Sequence, residues 1–222
     1  MQEIIIELKA PFLSCRTFNS GYGYTTPTIP HSGAYGLVLN LAGFNMLDYG
    51  KEPIQAGKEA LVYPCVKDMP GLEISVGLIS TGNISALLHQ YHKHSLTPGV
   101  DIEYFGRKPI VSIGKREYVS SYHGVIGVRG DDDIIEKVSR GTKECYGGIP
   151  FAGQRNLFFS EINLVSGVKA KWFKTDLDRG EQTIFLTTGI DRADSSNTKG
   201  ELFALSAETE SIPASAWVTP YH

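Results

Sequence analysis

Cysteine is scarce in this chain of 222 residues: Cys15, Cys65 and Cys145 are widely separated and odd in number, which excludes a disulfide framework or a paired-cysteine zinc site. Long apolar runs are missing too. The longest uncharged apolar stretch, around residues 34–44, falls far short of the roughly 20 residues needed to cross a bilayer. The N-terminal MQEIIIELK sets Glu3 and Glu7 among its apolar residues, unlike the basic start and apolar core of a signal peptide. A cytoplasmic protein with no membrane partner is expected. Two catalytic signatures are also lacking. No G-x-S-x-G elbow occurs, and although Gly148 and Gly153 have P-loop spacing, Gln154 and Arg155 stand where Lys and Ser/Thr would be needed. Neither sign of charge dominates, with 21 Lys+Arg against 24 Asp+Glu, and the charged fraction of 20% excludes a disordered or supercharged tail.

What is present is the material of one globular domain, 41% hydrophobic. In residues 3–9, Ile4, Ile6 and Leu8 alternate with Glu3, Glu7 and Lys9, the period-2 pattern of a half-buried strand. An irregular connection over 11–31 is expected from its density of turn formers. Ser32 then caps a helix over 34–42 that Gly43 stops. Residues 60–66 and 72–80 read as strands joined by a turn at Asp68, Pro70 and Gly71. After Thr81 the pattern breaks, with a polar stretch over 89–99 and a hairpin expected between 100–105 and 110–121. Strand character returns at 124–128. Asp131, Asp132 and Asp133 open a helix to Arg140, ended by Gly141. A strand follows at 157–165, and the tail from 166 onward adds short strands, clearest at 184–188 and 201–205. With about 82–123 as an insertion, the order is βαββαβ: an α+β, ferredoxin-like unit that also underlies the RNA recognition motif. Residues 1–165 form that domain and 166–222 a β extension packed on it.

The net charge of −3 argues against a polyanion partner only until it is divided along the chain. Residues 89–130 carry 6 basic and 3 acidic groups, whereas 131–222 carry 10 and 14. The middle segment also holds His89, His92, His94 and His123. A local basic arm on an otherwise neutral protein suits a phosphate backbone, and a solvated hairpin accounts for the same charges.

No set of metal ligands is completed. The spacing His89-x-x-His92-x-His94 lacks a nearby Cys or carboxylate, and the acidic run 131–133 reads as a solvated helix start, as does the group Asp176, Asp178 and Glu181. Two segments resist a bland account. Residues 16–31, RTFNSGYGYTTPTIPH, combine an arginine, three aromatic rings, hydroxyls and prolines directly after the first strand. Aromatic faces stack bases, and hydroxyls bond phosphate and sugar. Residues 146–156, YGGIPFAGQRN, join glycines that permit close backbone approach to the guanidinium of Arg155. A packed surface loop and a structural turn are the respective alternatives.

Taken together, these segments resemble the CRISPR-associated RAMP proteins and, within them, the Cas-five family. The resemblance rests on PFLSCRTFNSGYGYTTPTIPHSGAYGLVLNLAG, on LLHQYHKHS with FGRKPIVSIGKREYVSSYHGVIGV as the family's thumb insertion, and on YGGIPFAGQRNLFF as its glycine-rich loop. The last two look closest to the type I-B branch related to myxobacterial developmental-operon proteins. The resemblance implies a crRNA-binding subunit of a type I Cascade complex that caps the 5′ handle of the guide, with the thumb folded over the guide beside it. It implies backbone subunits of Cas-seven type, a large subunit of Cas-eight type and target DNA near the PAM as partners, and no cofactor. Such a complex serves either target degradation or guided transposition.

Residue by residue, the resemblance sets Arg16, Tyr22, Tyr24, Thr25, Thr26 and His31 against the handle. It places Lys108, Lys115, Arg116 and Tyr118 on the thumb near phosphates, with Tyr146 and Arg155 added from the glycine-rich loop. Some members of the family cut the guide precursor without metal, for which Tyr24, His31, Lys115 and His123 are the available groups. Lys115 is followed here by Arg116, where the processing members pair lysine with histidine. A non-enzymatic role is therefore expected, with endoribonuclease and protein-interaction domain as the alternatives.

Overall fold

The computed structural model describes residues 2–17, 23–44, 51–55, 58–61, 70–93, 110–144, 149–154, 156–190 and 197–220. Among these are ten strands and two α-helices: β1 (Gln2–Leu13), α1 (His31–Leu41), β2 (Lys51–Gln55), β3 (Lys58–Leu61), β4 (Glu73–Ser80), β5 (Asn83–Lys93), β6 (Ile110–Gly130), α2 (Asp132–Glu144), β7 (Glu161–Val165), β8 (Ala170–Lys174), β9 (Thr183–Gly189) and β10 (Lys199–Thr209).

The main sheet runs β7-β1-β6-β4-β8-β10-β9, with every described pairing antiparallel. Its first four strands, with α1 and α2, are the ferredoxin-like βαββαβ unit. The two middle strands of that unit are β4 and the 122–130 half of β6. The strand expected at 60–66 is not one of them: β3 pairs only with β2, in a separate two-stranded sheet, and 62–69 lie outside the described residues.

Alternation on β1 buries Ile6, Leu8 and Ala10 against the helices, where Ile126 and Val128 of β6, Ile74 and Val76 of β4, and Leu37, Val38 and Leu41 of α1 complete the core. Several element ends differ from expectation. Helix α1 starts at His31 rather than 34, because Pro30 occupies its N-cap and the Ala34 amide donates to the Pro30 carbonyl at 2.9 Å, leaving Ser32 inside the first turn. Helix α2 runs on to Glu144, so Gly141 does not end it. A Cβ at 141 would sit 1.7 Å from the Leu41 carbonyl oxygen, and glycine there lets the two helices touch backbone to backbone.

The largest difference concerns the arm. The partner of 110–120 is β5, in continuous register from Asn83↔Ser120 to Lys93↔Ile110, and not 100–105, which lie outside the described residues. The same strand β6 then crosses the core to Gly130, so arm and sheet share one continuous strand. The tail adds β8, β9 and β10 to the sheet and returns to β4, where Ile74 and Val218 exchange backbone hydrogen bonds of 2.7 and 2.9 Å. Among the described residues no helix is long and apolar enough to cross a membrane.

Candidate nucleic-acid interface

In an RNA recognition motif, bases stack on the sheet face opposite the helices. Here that face is closed. Ion pairs cover β1, β6 and β7: Arg129 joins Glu3 at 2.8 Å and Glu73 at 3.4 Å, His123 meets Glu7 at 2.6 Å, and Lys9 meets Glu161 at 2.8 Å. The tail covers the rest. Ile212 and Ala216 pack with Val125, Ala170 and Trp172, and Arg129 lies 4.1 Å over the Trp217 ring.

Exposed cations and aromatics gather instead where the end of β1, the loop after it, the base of the arm and the glycine-rich loop meet. A narrow cleft there is lined by Ser14, Arg16, Gly23, Tyr24, Arg116 and Gln154. The loop after β1 is stitched back onto its own strand. Arg16 and Thr25 form an antiparallel bridge, the Thr26 amide donates to the Cys15 carbonyl at 2.8 Å, and the Cys15 amide donates to Thr25 Oγ1 at 3.0 Å. It is also fastened to the arm, since the Glu117 amide donates to the Gly23 carbonyl at 2.6 Å. Gly23 has φ +146, and a Cβ there would lie 2.6 Å from the Lys115 carbonyl oxygen, so only glycine brings loop and arm this close.

The glycine-rich loop docks on the other side. The Ser14 amide donates to the Ala152 carbonyl at 3.1 Å, and Gly153, with φ +87, turns the chain where a Cβ would lie 2.2 Å from the Ser14 carbonyl oxygen. Gln154 then donates through Nε2 to Ser14 Oγ at 2.6 Å and accepts from Arg116 Nη1 through Oε1, while Ser14 Oγ donates to the Glu117 carbonyl at 3.0 Å. Around this junction stand exposed rings: Tyr24, Phe12, and the tilted pair Phe151 and Phe158 at 5.5 Å between centroids.

The expected site residues fall into three groups. Arg16, Tyr24 and Arg116 lie together at this surface, Arg16 and Tyr24 exposed and Arg116 half-buried, while Lys115, also exposed, meets it through its backbone carbonyl beside Gly23. Thr25, Thr26, His31 and Tyr118 have buried side chains and shape the site from within. Thr26 Oγ1 donates to the Thr28 carbonyl at 2.6 Å, Tyr118 meets the Phe12 ring edge-on at 6.3 Å, and His31 stacks on Phe203 at 4.5 Å. Burial lowers the His31 pKa to about 3 and pushes the Cys15 thiol up to about 12. Tyr22, Lys108, Tyr146 and Arg155 lie outside the described residues.

Ser14 and Gln154 are not among the expected site residues: Gln154 falls inside the glycine-rich segment 146–156, whereas Ser14 lies two residues before the segment 16–31 and carries no charge or ring to mark it. Among the described residues no group of three or more His, Cys, Asp or Glu side chains is placed to hold a metal ion. The group Asp176, Asp178 and Glu181 surrounds the ammonium of Lys174, at 3.8, 3.6 and 3.4 Å respectively.

No protein-family model and no curated protein matches the sequence. Solved structures share its fold, and two of them give the measure of the likeness. One is described as a "CRISPR RNA-guided surveillance complex", with a TM-score of 0.58 and 14% identity over 97% of this chain and 92% of the other. The other is described as "Crystal structure of Cas protein", with a TM-score of 0.52 and 13% identity over 94% of each chain.

Proposed function

We propose that this protein is a non-catalytic, crRNA-binding subunit of a type I Cascade complex, of the Cas-five kind and nearest the type I-B branch, that caps the 5′ handle of the guide RNA. The observation that carries the reading is the convergence of Arg16, Tyr24 and Arg116 at the junction of loop, arm and glycine-rich loop, with the exposed Lys115 next to Arg116 on the arm. It is supported by a fold shared, over nearly its whole length, with a chain from an RNA-guided surveillance complex. Guanidinium and ammonium groups hold phosphates, and the exposed rings beside them offer faces to unstacked bases. The arm folds along the guide next to the handle. Backbone subunits of Cas-seven type, a large subunit of Cas-eight type and target DNA near the PAM complete the assembly, which serves antiviral defence or guided transposition.

The non-catalytic part of the reading is supported by His31 and His123. The first is enclosed against Phe203, away from any ribose at the surface, and the second is engaged with Glu7 on the closed face of the sheet. Binding of labelled handle RNA and of a scrambled RNA of equal length, in EDTA, tests both parts. The expected outcome is tighter binding of the handle and intact RNA after prolonged incubation. Equal affinity for the two RNAs overturns handle capping, and cleavage products that disappear in a Lys115→Ala variant overturn the non-catalytic role.

A further inference from the structure

Arg116 is not simply a cation at the surface; it is aimed by a chain of neutral hydrogen bonds that starts in the backbone of the arm. The Ser14 hydroxyl has one proton, and it is committed to the Glu117 carbonyl at 3.0 Å. Towards Gln154 the hydroxyl can therefore only accept, which it does from Nε2 at 2.6 Å. That requirement fixes which way the Gln154 amide faces, and its oxygen is turned to Arg116 Nη1. The circuit joins groups separated in sequence by 103, 140 and 38 residues, so it forms only when strand end, arm and glycine-rich loop are all in place. The close approach of Gly153 to the Ser14 carbonyl holds Gln154 at the required distance.

The chemistry of the acceptor matters as much as its place. A carboxylate at 154 would orient the guanidinium equally well but would cancel its charge, and the committed Ser14 hydroxyl would have no proton left for it. An amide orients Arg116 and brings no negative charge of its own to the guanidinium. We propose that Gln154 is a positioning residue that presents Arg116 to a phosphate of the bound RNA, with Ser14 setting the orientation of its amide. This rests on the RNA-capping reading above and names the device by which that site takes hold of a phosphate.

The test compares Gln154→Ala, Gln154→Glu, Ser14→Ala and Arg116→Ala in the full chain, with affinity for the labelled handle RNA measured across a salt series. Gln154→Ala is expected to weaken binding by about threefold to tenfold, the effect of one lost hydrogen bond of ordinary net strength. Gln154→Glu, nearly isosteric and therefore a safeguard against misfolding, is expected to weaken it further and to lower the slope of log affinity against log salt by about 0.7, the share of one phosphate on a single strand. Ser14→Ala should shift affinity in the same direction as Gln154→Ala. In an Arg116→Ala background all three changes should have no further effect, because the group they position is gone. If the wild-type chain binds the RNA while Gln154→Glu binds with unchanged affinity and slope, or if Gln154→Ala and Arg116→Ala simply add, the positioning role is wrong and the capping reading stands. A wild-type chain that binds no RNA overturns both.

Discussion

At position 31 a histidine is wholly enclosed by the core, stacked on Phe203, with neither ring nitrogen meeting a hydrogen-bond partner among the described residues. Burial penalises the imidazolium, so the folded protein holds this ring neutral down to about pH 3, against an ordinary value of 6.5. The consequence for stability has a definite sign. As pH falls below 6.5 the unfolded chain takes up a proton that the folded chain refuses, so stability declines between pH 6.5 and about pH 3. Integrated to pH 5, this single group costs about 2 kcal/mol relative to neutral pH. His31→Phe keeps a ring against Phe203 and removes the titration. Urea unfolding at pH 7.5 and pH 5 should therefore show a loss of stability smaller by that amount in the variant, and equal losses in the two proteins would refute the assignment.

Strand β6 poses the main question at the level of elements, because one strand of 21 residues serves both core and arm. The change takes place at Ser121, whose φ of +53 is left-handed, opposite Pro11, which has no amide to give to the ladder. The phase of burial shifts there. On β1 the buried residues run Ile6, Leu8, Ala10 and then Leu13, and on β6 Ile126 and Tyr122 are followed by Val119. A left-handed serine carries a cost of about 1–2 kcal/mol that glycine avoids and a β-branched residue increases. Ser121→Val should thus destabilise the fold by about 1–2 kcal/mol, while in Ser121→Gly the relief of strain is offset by glycine's greater freedom in the unfolded chain, so stability stays nearly unchanged. Urea unfolding midpoints rank the three, and equal effects of valine and glycine would mean that the bend is not strained.

This bend also explains what the sequence pattern revealed and what it hid. Strand β1 and the start of α2 each bury one face and show it as periodicity, whereas α1 and β4 are buried nearly all round and stand out as apolar runs; these elements carried the α+β class. Over residues 83–88 strand β5 has no buried face, since all six are exposed and Ile84, Leu87 and Leu88 fall on both of its sides. With no alternation to read, its pairing with 110–120 went to another segment. The phase shift at Ser121 likewise divided β6 into two apparent strands. In the site, Arg16, Tyr24, Lys115 and Arg116 were visible because charge and aromaticity mark them individually. Ser14 and Gln154 are small neutral residues whose meaning lies in a contact across 140 positions, which only the fold supplies.

For the whole molecule the question is whether net charge or local charge governs an encounter with RNA. The chain carries −3 in total and has a pI near 6.1, so a polyanion meets mild repulsion on average. Charges separated by more than about 8–10 Å are largely screened at physiological salt, which leaves the cations at the junction to act on the phosphates they touch. Lys115 and Arg116 lie at that junction; Lys169 and Lys171 are exposed and belong to the C-terminal extension, at and just before β8. Replacing either pair by alanine removes the same two charges. If contact decides, Lys115→Ala with Arg116→Ala should reduce the slope of log affinity against log salt by about 1.4, two phosphates on a single strand, whereas Lys169→Ala with Lys171→Ala should leave that slope unchanged. Equal changes from the two pairs would mean that the molecule's overall field, and not the junction, attracts the RNA. The segmental imbalance, with a basic excess in 89–130 and an acidic excess in 131–222, favours the first outcome, because it allows the acidic part to face away from the guide while the arm lies along it.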